Sequence, residues 1–369
     1  MLTPLTATQQ QWVDTTLAAL TIPQCLGQLL CPSSPRSTTE EWLALMQRVP
    51  FGTISLRGAS TAETRERMQR LQAAAKVPIL AGGDMEQGAN TLTDSTEFPR
   101  PMAVGAANDV DLAHKLGQAT AAEARYAGMH WTFSPVIDLN YNFRNPITNV
   151  RAISDEPERV IRIATAMIEG LQGGGLLAAS AKHFPGDGMD DRDQHLVTTI
   201  NNLPFADWQA TYGKVWRAII DAGVMAVMPG HISLPDYQGF ADRPIDALPA
   251  TLDSKLLNGL LREELGFDGL IISDATGMIG MTTRVATNQR VVECIKAGCD
   301  VYLFPETIAD YERLLDAVED GRLSEERVRE AARRVLELKA RLNLHVDPFG
   351  PKPSAADVHS HQATAQAIA

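Results

Sequence analysis

Cysteine is scarce in this 369-residue chain. There are four, Cys25, Cys31, Cys294 and Cys299, with no CxxC pair and no spacing to histidine that suits a metal. Thiols so placed read as small buried hydrophobes in a reducing compartment rather than as a disulfide framework. Basic runs are missing as well. The formal net charge is −12, from 33 Lys and Arg against 45 Asp and Glu, whereas a polyanionic partner such as nucleic acid needs clustered cations. No apolar stretch reaches the roughly 18 residues of a membrane helix. The opening residues, Met1 to Ala7, lack the basic and apolar regions of a secretory signal. A cytoplasmic location with neither nucleic-acid nor membrane partners is the resulting expectation. Phosphate-cradling motifs are absent too: no GxGxxG follows the first strand-like run and no P-loop occurs, which weakens a nucleotide-binding reading.

What the chain does have is alternation. With 44% hydrophobic and 21% charged residues it has the composition of a globular protein with a large core. Strand-like runs fall at residues 52–56, 77–84, 129–133, 176–182, 224–228, 269–274 and 301–304. Helical patterns separate them: Ser60 to Glu63 reads as a capping box, and a helix from Ser324 places Val328, Ala331, Val335, Leu338 and Leu342 on one face. Strands apolar throughout and separated by helices indicate a parallel sheet covered on both faces. Seven are readable and an eighth is not. The expected fold is therefore an α/β protein of the (β/α)₈ TIM-like barrel type, with allowance for one irregular strand. The barrel is expected over residues 1–342.

The densest chemistry lies at the ends of these strands. The run Lys182-His183-Phe184-Pro185-Gly186-Asp187-Gly188-Met189-Asp190-Asp191-Arg192-Asp193-Gln194-His195 leaves a buried strand and enters a polar loop. A solvated acidic loop with a capping histidine is the bland reading, yet charged residues at buried strand ends usually have a partner or a task. Asp84, His231 and Asp274 also stand at C-terminal strand ends, the face where barrel enzymes carry their chemistry. Asp274 closes Gly269-Leu270-Ile271-Ile272-Ser273-Asp274 and reads as a nucleophile, a general base, a metal ligand or a helix N-cap; the metal reading lacks a ligand set around it.

These residues resemble glycoside hydrolase family 3. The resemblance rests on Lys182-His183-Phe184-Pro185-Gly186 with Asp193-x-His195, on Gly266-Phe267-Asp268-Gly269 and on Ser273-Asp274. Gly82-Gly83-Asp84-Met85-Glu86-Gln87-Gly88, Ser134-Pro135-Val136-Ile137-Asp138, Arg144-Asn145-Pro146 leading to Arg151, and Val227-Met228-Pro229-Gly230-His231 extend it over most of the chain. The branch it looks closest to contains β-N-acetylglucosaminidases. The resemblance implies a retaining, exo-acting β-glycosidase with a small carbohydrate as substrate and with neither cofactor nor metal. Asp274 would be the nucleophile, and Asp193 with His195 an acid/base dyad in place of the second carboxylic acid most retaining glycosidases use. Asp84, Arg151, Lys182, His183 and His231 would hold sugar hydroxyls. Lys182 would also keep a neighbouring carboxylate ionised. Gly186 and Gly188 would let the dyad's loop move.

Two positions depart from that branch. Asp187 stands where His is common after Pro-Gly, and Gln194 replaces Ser within Asp-x-His. Asp187, Asp190 and Asp191 are left without a task, since their spacing lacks the distal Glu of a calcium loop. Because a neutral histidine would not repel a phosphate dianion as a carboxylate would, a β-N-acetylglucosaminide phosphorylase stands beside the hydrolase. A β-glucosidase and, more remotely, a non-catalytic sugar-binding barrel would also fit this sequence. Residues 343–369 read as a Pro/Gly linker and a tail whose helix begins at His361 and stops uncapped, the expected start of a second domain.

Overall fold

The computed structural model describes residues 2–33 and 36–369. Eight short parallel strands curl into a barrel: β1 (Leu30–Cys31), β2 (Thr53–Ser55), β3 (Leu80–Gly83), β4 (Trp131–Thr132), β5 (Ala178–Phe184), β6 (Ala226–Pro229), β7 (Leu270–Ile271) and β8 (Tyr302–Leu303). Strands β2 to β7 pair in chain order. Closure comes from β1, which sets Leu30 opposite Tyr302 of β8, and from single bridges between Ser33 and Ser55 and between Ile272 and Val301. The irregular strand is thus β1. Its two residues follow the helix Ile22–Gln28 almost without a break, so their apolar character reads as a continuation of that helix.

Alternation along the strands sorts side chains into two layers. Leu80, Trp131, Ala178, Ala226, Met228, Leu270 and Leu303 fill the barrel interior, whereas Ala81, Ala179, Ala181 and Val227 pack outward against the helices. In β5 the inward positions are Ala178, Ser180 and Lys182, with Ser180 hydrogen-bonded to the indole of Trp131. A lysine is thereby aimed into the top of the barrel. The capping signal behaves as read, with Ser60 and Glu63 in a reciprocal box, and the helix expected from Ser324 is Glu325–Arg341, capped by Ser324 and buried on its face from Val328 to Leu342. All four cysteines are buried and free.

At the N-terminal end of β8 the buried Asp300 gathers Arg262, Arg327 and Arg334 at 2.7, 3.1 and 3.1 Å and accepts the backbone N–H of Ile271. The last segment does not run free. Its helix spans Ala355–Ile368, six residues earlier than read, because Ser354 and Asp357 form a capping box. It lies against the helix Val110–Ala127, burying Thr364, Ala365 and Ile368, with His361 paired to Glu123 at 2.6 Å.

Candidate active site

Successive side chains of a strand point to opposite faces, yet Lys182 and His183 both serve the barrel mouth. The pairing of β5 with β6 shifts register between Lys182 and Phe184, and such a bulge re-aims the residue within it. Two networks result.

The first is built on Lys182, whose side chain is 3% exposed. Its Nζ lies 2.7 Å from Glu86 Oε1 and 3.3 Å from Asp84 Oδ1. Arg151 clamps the same carboxylate with two N–H groups, Nη2 to Oε1 at 2.7 Å and Nε to Oε2 at 2.9 Å. Burial alone would raise the Glu86 carboxyl, but the Lys182 charge and the Arg151 fork outweigh it and hold the group well below the usual range. Lys182 is raised in turn: burial works against its charge, and Glu86 and Asp84 prevail. Asp84, 57% exposed, is the arm of this network that reaches solvent.

The second network belongs to His183. Its Nδ1 lies 2.7 Å from Asp138 Oδ2, and its backbone N–H donates to Asp138 Oδ1 at 3.1 Å. Its Nε2 faces Asp274 Oδ2 at 3.9 Å, beyond hydrogen-bond reach. Asp274 Oδ1 accepts the N–H of Ala275 at 2.7 Å, so Oδ2 is the oxygen turned to the mouth. Burial would raise the Asp274 carboxyl, yet His183, His231 and the Ala275 N–H, with Lys182 last, keep it below the ordinary carboxylate value. Lys182 thus keeps a neighbouring carboxylate ionised, as expected; that carboxylate is chiefly Glu86, and at Asp274 its contribution is the last of those named. Lys182 mainly serves Glu86, and the histidines serve Asp274.

The loop after β5 carries His195, 54% exposed, with Nδ1 2.7 Å from Asp193 Oδ1. The same oxygen accepts His195 N–H at 2.8 Å, which fixes the pair locally. The carbonyls of His195 and Gln194 accept N–H groups from Ile279 and Gly280 at 3.0 and 3.1 Å, tying this loop to the one that follows Asp274. Gly186 and Gly188 are here for close approach. At φ 130° and 103°, a Cβ on them would stand 2.1 Å from the Tyr212 ring and 1.9 Å from the Leu139 carbonyl. Two of the acids have tasks. Asp190 takes Arg192 in a fork and the N–H of Ile200, while Asp187 is buried on Asn145 and raised by that burial and by Asp138. Asp191 is exposed.

His231 departs from its expected role. It is fully buried, with Nδ1 on Thr251 Oγ1 at 2.9 Å and Nε2 on the Ala275 carbonyl at 3.0 Å, so neither ring nitrogen is left for a sugar. Burial lowers its basicity against the pull of Asp274. Its place is to hold the chain just after Asp274. The sequence pattern assigns no task to Glu86 or Asp138, although both stand within the family-like motifs. Their signal was a carboxylate two or five residues beyond an apolar strand.

A closed parallel barrel whose strand ends gather carboxylates, histidines, a lysine and an arginine defines an acid–base enzyme site of the α/β-barrel class. Residues 21–338 match the model of the glycosyl hydrolase family 3 N terminal domain, and the chain belongs to that family. It is 40% identical to a beta-N-acetylglucosaminidase/beta-glucosidase of Cellulomonas fimi over 97% of this chain, and spans 65% of that relative's length. A beta-hexosaminidase of Vibrio cholerae is 31% identical over 70% of this chain and 76% of its own. Among solved structures, a beta-glucoside phosphorylase superposes with a TM-score of 0.91 at 35% identity, covering 99% of this chain and 66% of its own. A family 3 beta-N-acetylglucosaminidase from Paenibacillus does so with 0.86 at 30%, over 95% and 68%. Among the described residues, no helix is long and apolar enough to cross a membrane.

Proposed function

We propose that the protein is a retaining, exo-acting β-glycosidase that removes terminal β-linked N-acetylhexosamine through a covalent glycosyl-enzyme on Asp274. The observation that carries this reading is the geometry around Asp274: an ionised carboxylate with Oδ2 open to the mouth, beside a loop that presents the Asp193–His195 pair at 2.7 Å. Asp274 Oδ2 attacks the anomeric carbon as protonated His195 gives its proton to the departing oxygen, so the glycosidic bond breaks and an ester forms. His195, now neutral, takes a proton from water as that water attacks the same carbon; the ester breaks, and the free sugar leaves with Asp274 and His195 restored. Asp193 orients the imidazole and stabilises its charged form. Asp84, Arg151, Lys182 and His183 grip sugar hydroxyls by charge-assisted hydrogen bonds. The names of the Cellulomonas and Vibrio relatives support the N-acetylated sugar. In this reading the barrel of residues 1–342 carries the chemistry and residues 343–369 serve as linker and tail. The four buried free thiols favour the cytoplasm as its place of work.

A panel of p-nitrophenyl β-glycosides tests the substrate, and a 2-fluoro sugar tests the mechanism by leaving a covalent label on the peptide containing Asp274. Asp274→Asn is expected to abolish turnover, and His195→Ala to cost on the order of 10²–10⁴-fold. Retained activity in Asp274→Asn would end the proposal. Phosphorolysis is the second reading, favoured by the histidine base and by the phosphorylase among the structural neighbours. It predicts a sugar phosphate among the products when inorganic phosphate is supplied.

A further inference from the structure

The two positions at which the chain departs from its branch, Asp187 and Gln194, meet in the structure. Gln194, the residue between the dyad's two members, is 1% exposed, and Asp187 is 2% exposed. Gln194 Nε2 donates to Asp187 Oδ2 at 3.4 Å, and Gln194 Oε1 accepts the backbone N–H of His231 at 2.9 Å. We propose that Asp187 and Gln194 are positioning residues for the acid/base loop: their buried bridge, anchored on the His231 backbone, sets where His195 stands relative to Asp274. The proposal rests on the reading of His195 as the acid/base.

Backbone groups dictate the polarity of this bridge. A main-chain N–H can only donate, so His231 forces the amide oxygen of Gln194 toward itself and turns the NH₂ toward Asp187. At the other end Asp187 Oδ1 accepts the backbone N–H of Gly188 at 2.7 Å and Asn145 Nδ2 at 2.8 Å. Asn145 cannot flip, because its own Oδ1 accepts the N–H groups of Ile147 and Thr148 at 2.8 Å each. Asp187 Oδ2 is therefore the acceptor that remains, and it meets the NH₂ of Gln194. Next to it, the Asp187 N–H donates to Asp138 Oδ1 at 2.7 Å, the carboxylate that also holds His183. From the far side, the N–H groups of Ile279 and Gly280 grip the carbonyls of His195 and Gln194, and Thr198 Oγ1 bonds the Gly280 carbonyl at 2.6 Å. The loop is thus fastened to the segments bearing His183, His231 and Asp274, and the side-chain fastening passes through the residue flanked by Asp193 and His195.

This polarity yields a charge-neutral swap. In Asp187→Asn the oxygen is claimed by Gly188 and Asn145, so a second NH₂ faces that of Gln194. In Gln194→Glu two buried carboxylates face each other. In the double variant Asp187→Asn/Gln194→Glu, the Asn NH₂ donates to the Glu carboxylate, whose other oxygen still accepts His231 N–H. Aryl β-glycosides of the sugar the panel selects separate positioning from bulk folding. A phenyl leaving group needs the proton from His195, while a 2,4-dinitrophenyl group leaves without it. For each single variant, kcat/KM on the phenyl glycoside should fall between about tenfold and a hundredfold, the cost of a misplacement of about 1 Å. On the dinitrophenyl glycoside it should change less than about threefold, and the double variant should recover most of the loss. Unchanged phenyl activity in both single variants overturns the proposal. So does a parallel loss on both substrates that tracks a lowered melting temperature and is not rescued by the swap. His195→Ala measured alongside separates the two layers. Full phenyl activity there overturns the acid/base reading and the proposal with it, whereas loss there with unaffected single variants overturns the proposal alone.

Discussion

Replacing Glu86 with Gln keeps the shape of the side chain and removes one charge from between two cations. Lys182 Nζ and Arg151 Nη2 each lie 2.7 Å from Glu86 Oε1, so the two cations stand about 5 Å apart. At an effective dielectric of about 20, like charges at that distance repel by about 3 kcal/mol. Asp84 offsets little of this, because its solvent-exposed carboxylate is screened. Glu86→Gln should therefore lower the unfolding free energy at pH 7 by about 3 kcal/mol, at the lower edge of the 3–5 kcal/mol typical of a broken buried pair. Urea titrations compared by midpoint at constant slope measure it. The sign with pH follows from the depressed carboxyl. Its stabilisation is fully present above the ordinary value of 4.5 and is lost as pH falls through the lower folded value, so the gap between wild type and variant should hold from pH 5 to 8 and narrow below about 4.5. Adding Arg151→Met should restore at least about half the loss, since a single cation then remains. A Glu86→Gln loss under about 1 kcal/mol, or a double variant no better than the single, would refute the charge-balance reasoning.

Three other perturbations probe the scaffold. Asp300→Ala strands three arginines at the barrel's closed end and should cost about 3–5 kcal/mol in urea unfolding while leaving turnover per folded molecule unchanged; a loss below about 1 kcal/mol would count against it. Lys339 is buried with Gln28 Oε1 at 2.6 Å, and burial lowers its pKa to about 7. The folded state releases that proton near pH 7 while the unfolded chain keeps it to about 10.5, so this residue makes stability rise with pH between those values, and Lys339→Met should remove a component on the order of 3 kcal/mol between pH 7 and 9.5. Identical pH–stability curves for both proteins would refute it. Gly188→Ala would drive a Cβ into the Leu139 carbonyl at a positive φ and should cost about 2–4 kcal/mol by thermal unfolding, together with a drop in kcat from the displaced dyad loop; a melting temperature within about a degree of wild type would refute the packing argument.

Seven of the eight barrel strands were legible because each is an apolar run set off by turn residues, which is a local signal. The strand Leu30–Cys31 was not, since two residues that follow a helix of the same character carry no periodicity of their own. The candidate site residues divide along the same line. Asp84, Lys182, His183, Asp193, His195 and Asp274 announce themselves as polar groups at strand ends or in the loop beyond them. Glu86 and Asp138 do not, because their tasks are defined by partners 65 and 45 positions away, Arg151 and His183. His231 shows the converse: its position was readable, but not that Thr251 and Ala275 would occupy both ring nitrogens. Asp187 and Asp190 looked like surplus charge until the loop folded back and gave each its donors.

The placement of Lys182 and His183 on adjacent residues of β5 explains how one mouth can hold so many carboxylates without neutralising Asp274, the one proposed to react. Lys182 is spent on Glu86 and Asp84, on the β3 side. His183 points the other way, with Nδ1 on Asp138 and Nε2 toward Asp274 at 3.9 Å. A direct Lys182–Asp274 ion pair would depress Asp274 further and, by engaging Oδ2, blunt it for the attack proposed above. The longer His183 separation stabilises the anion and leaves that oxygen unbonded. Asp138 completes the division. By holding His183 Nδ1 it presents Nε2 to Asp274, and by accepting the N–H of Asp187 it fixes the first turn of the loop that bears His195. Under the proposed mechanism, substituting Asp138 with Asn should therefore disturb both steps at once, whereas substituting Lys182 should act on sugar affinity before chemistry. Measured as kcat against KM, that difference follows from the register shift that turned two neighbouring side chains toward different partners.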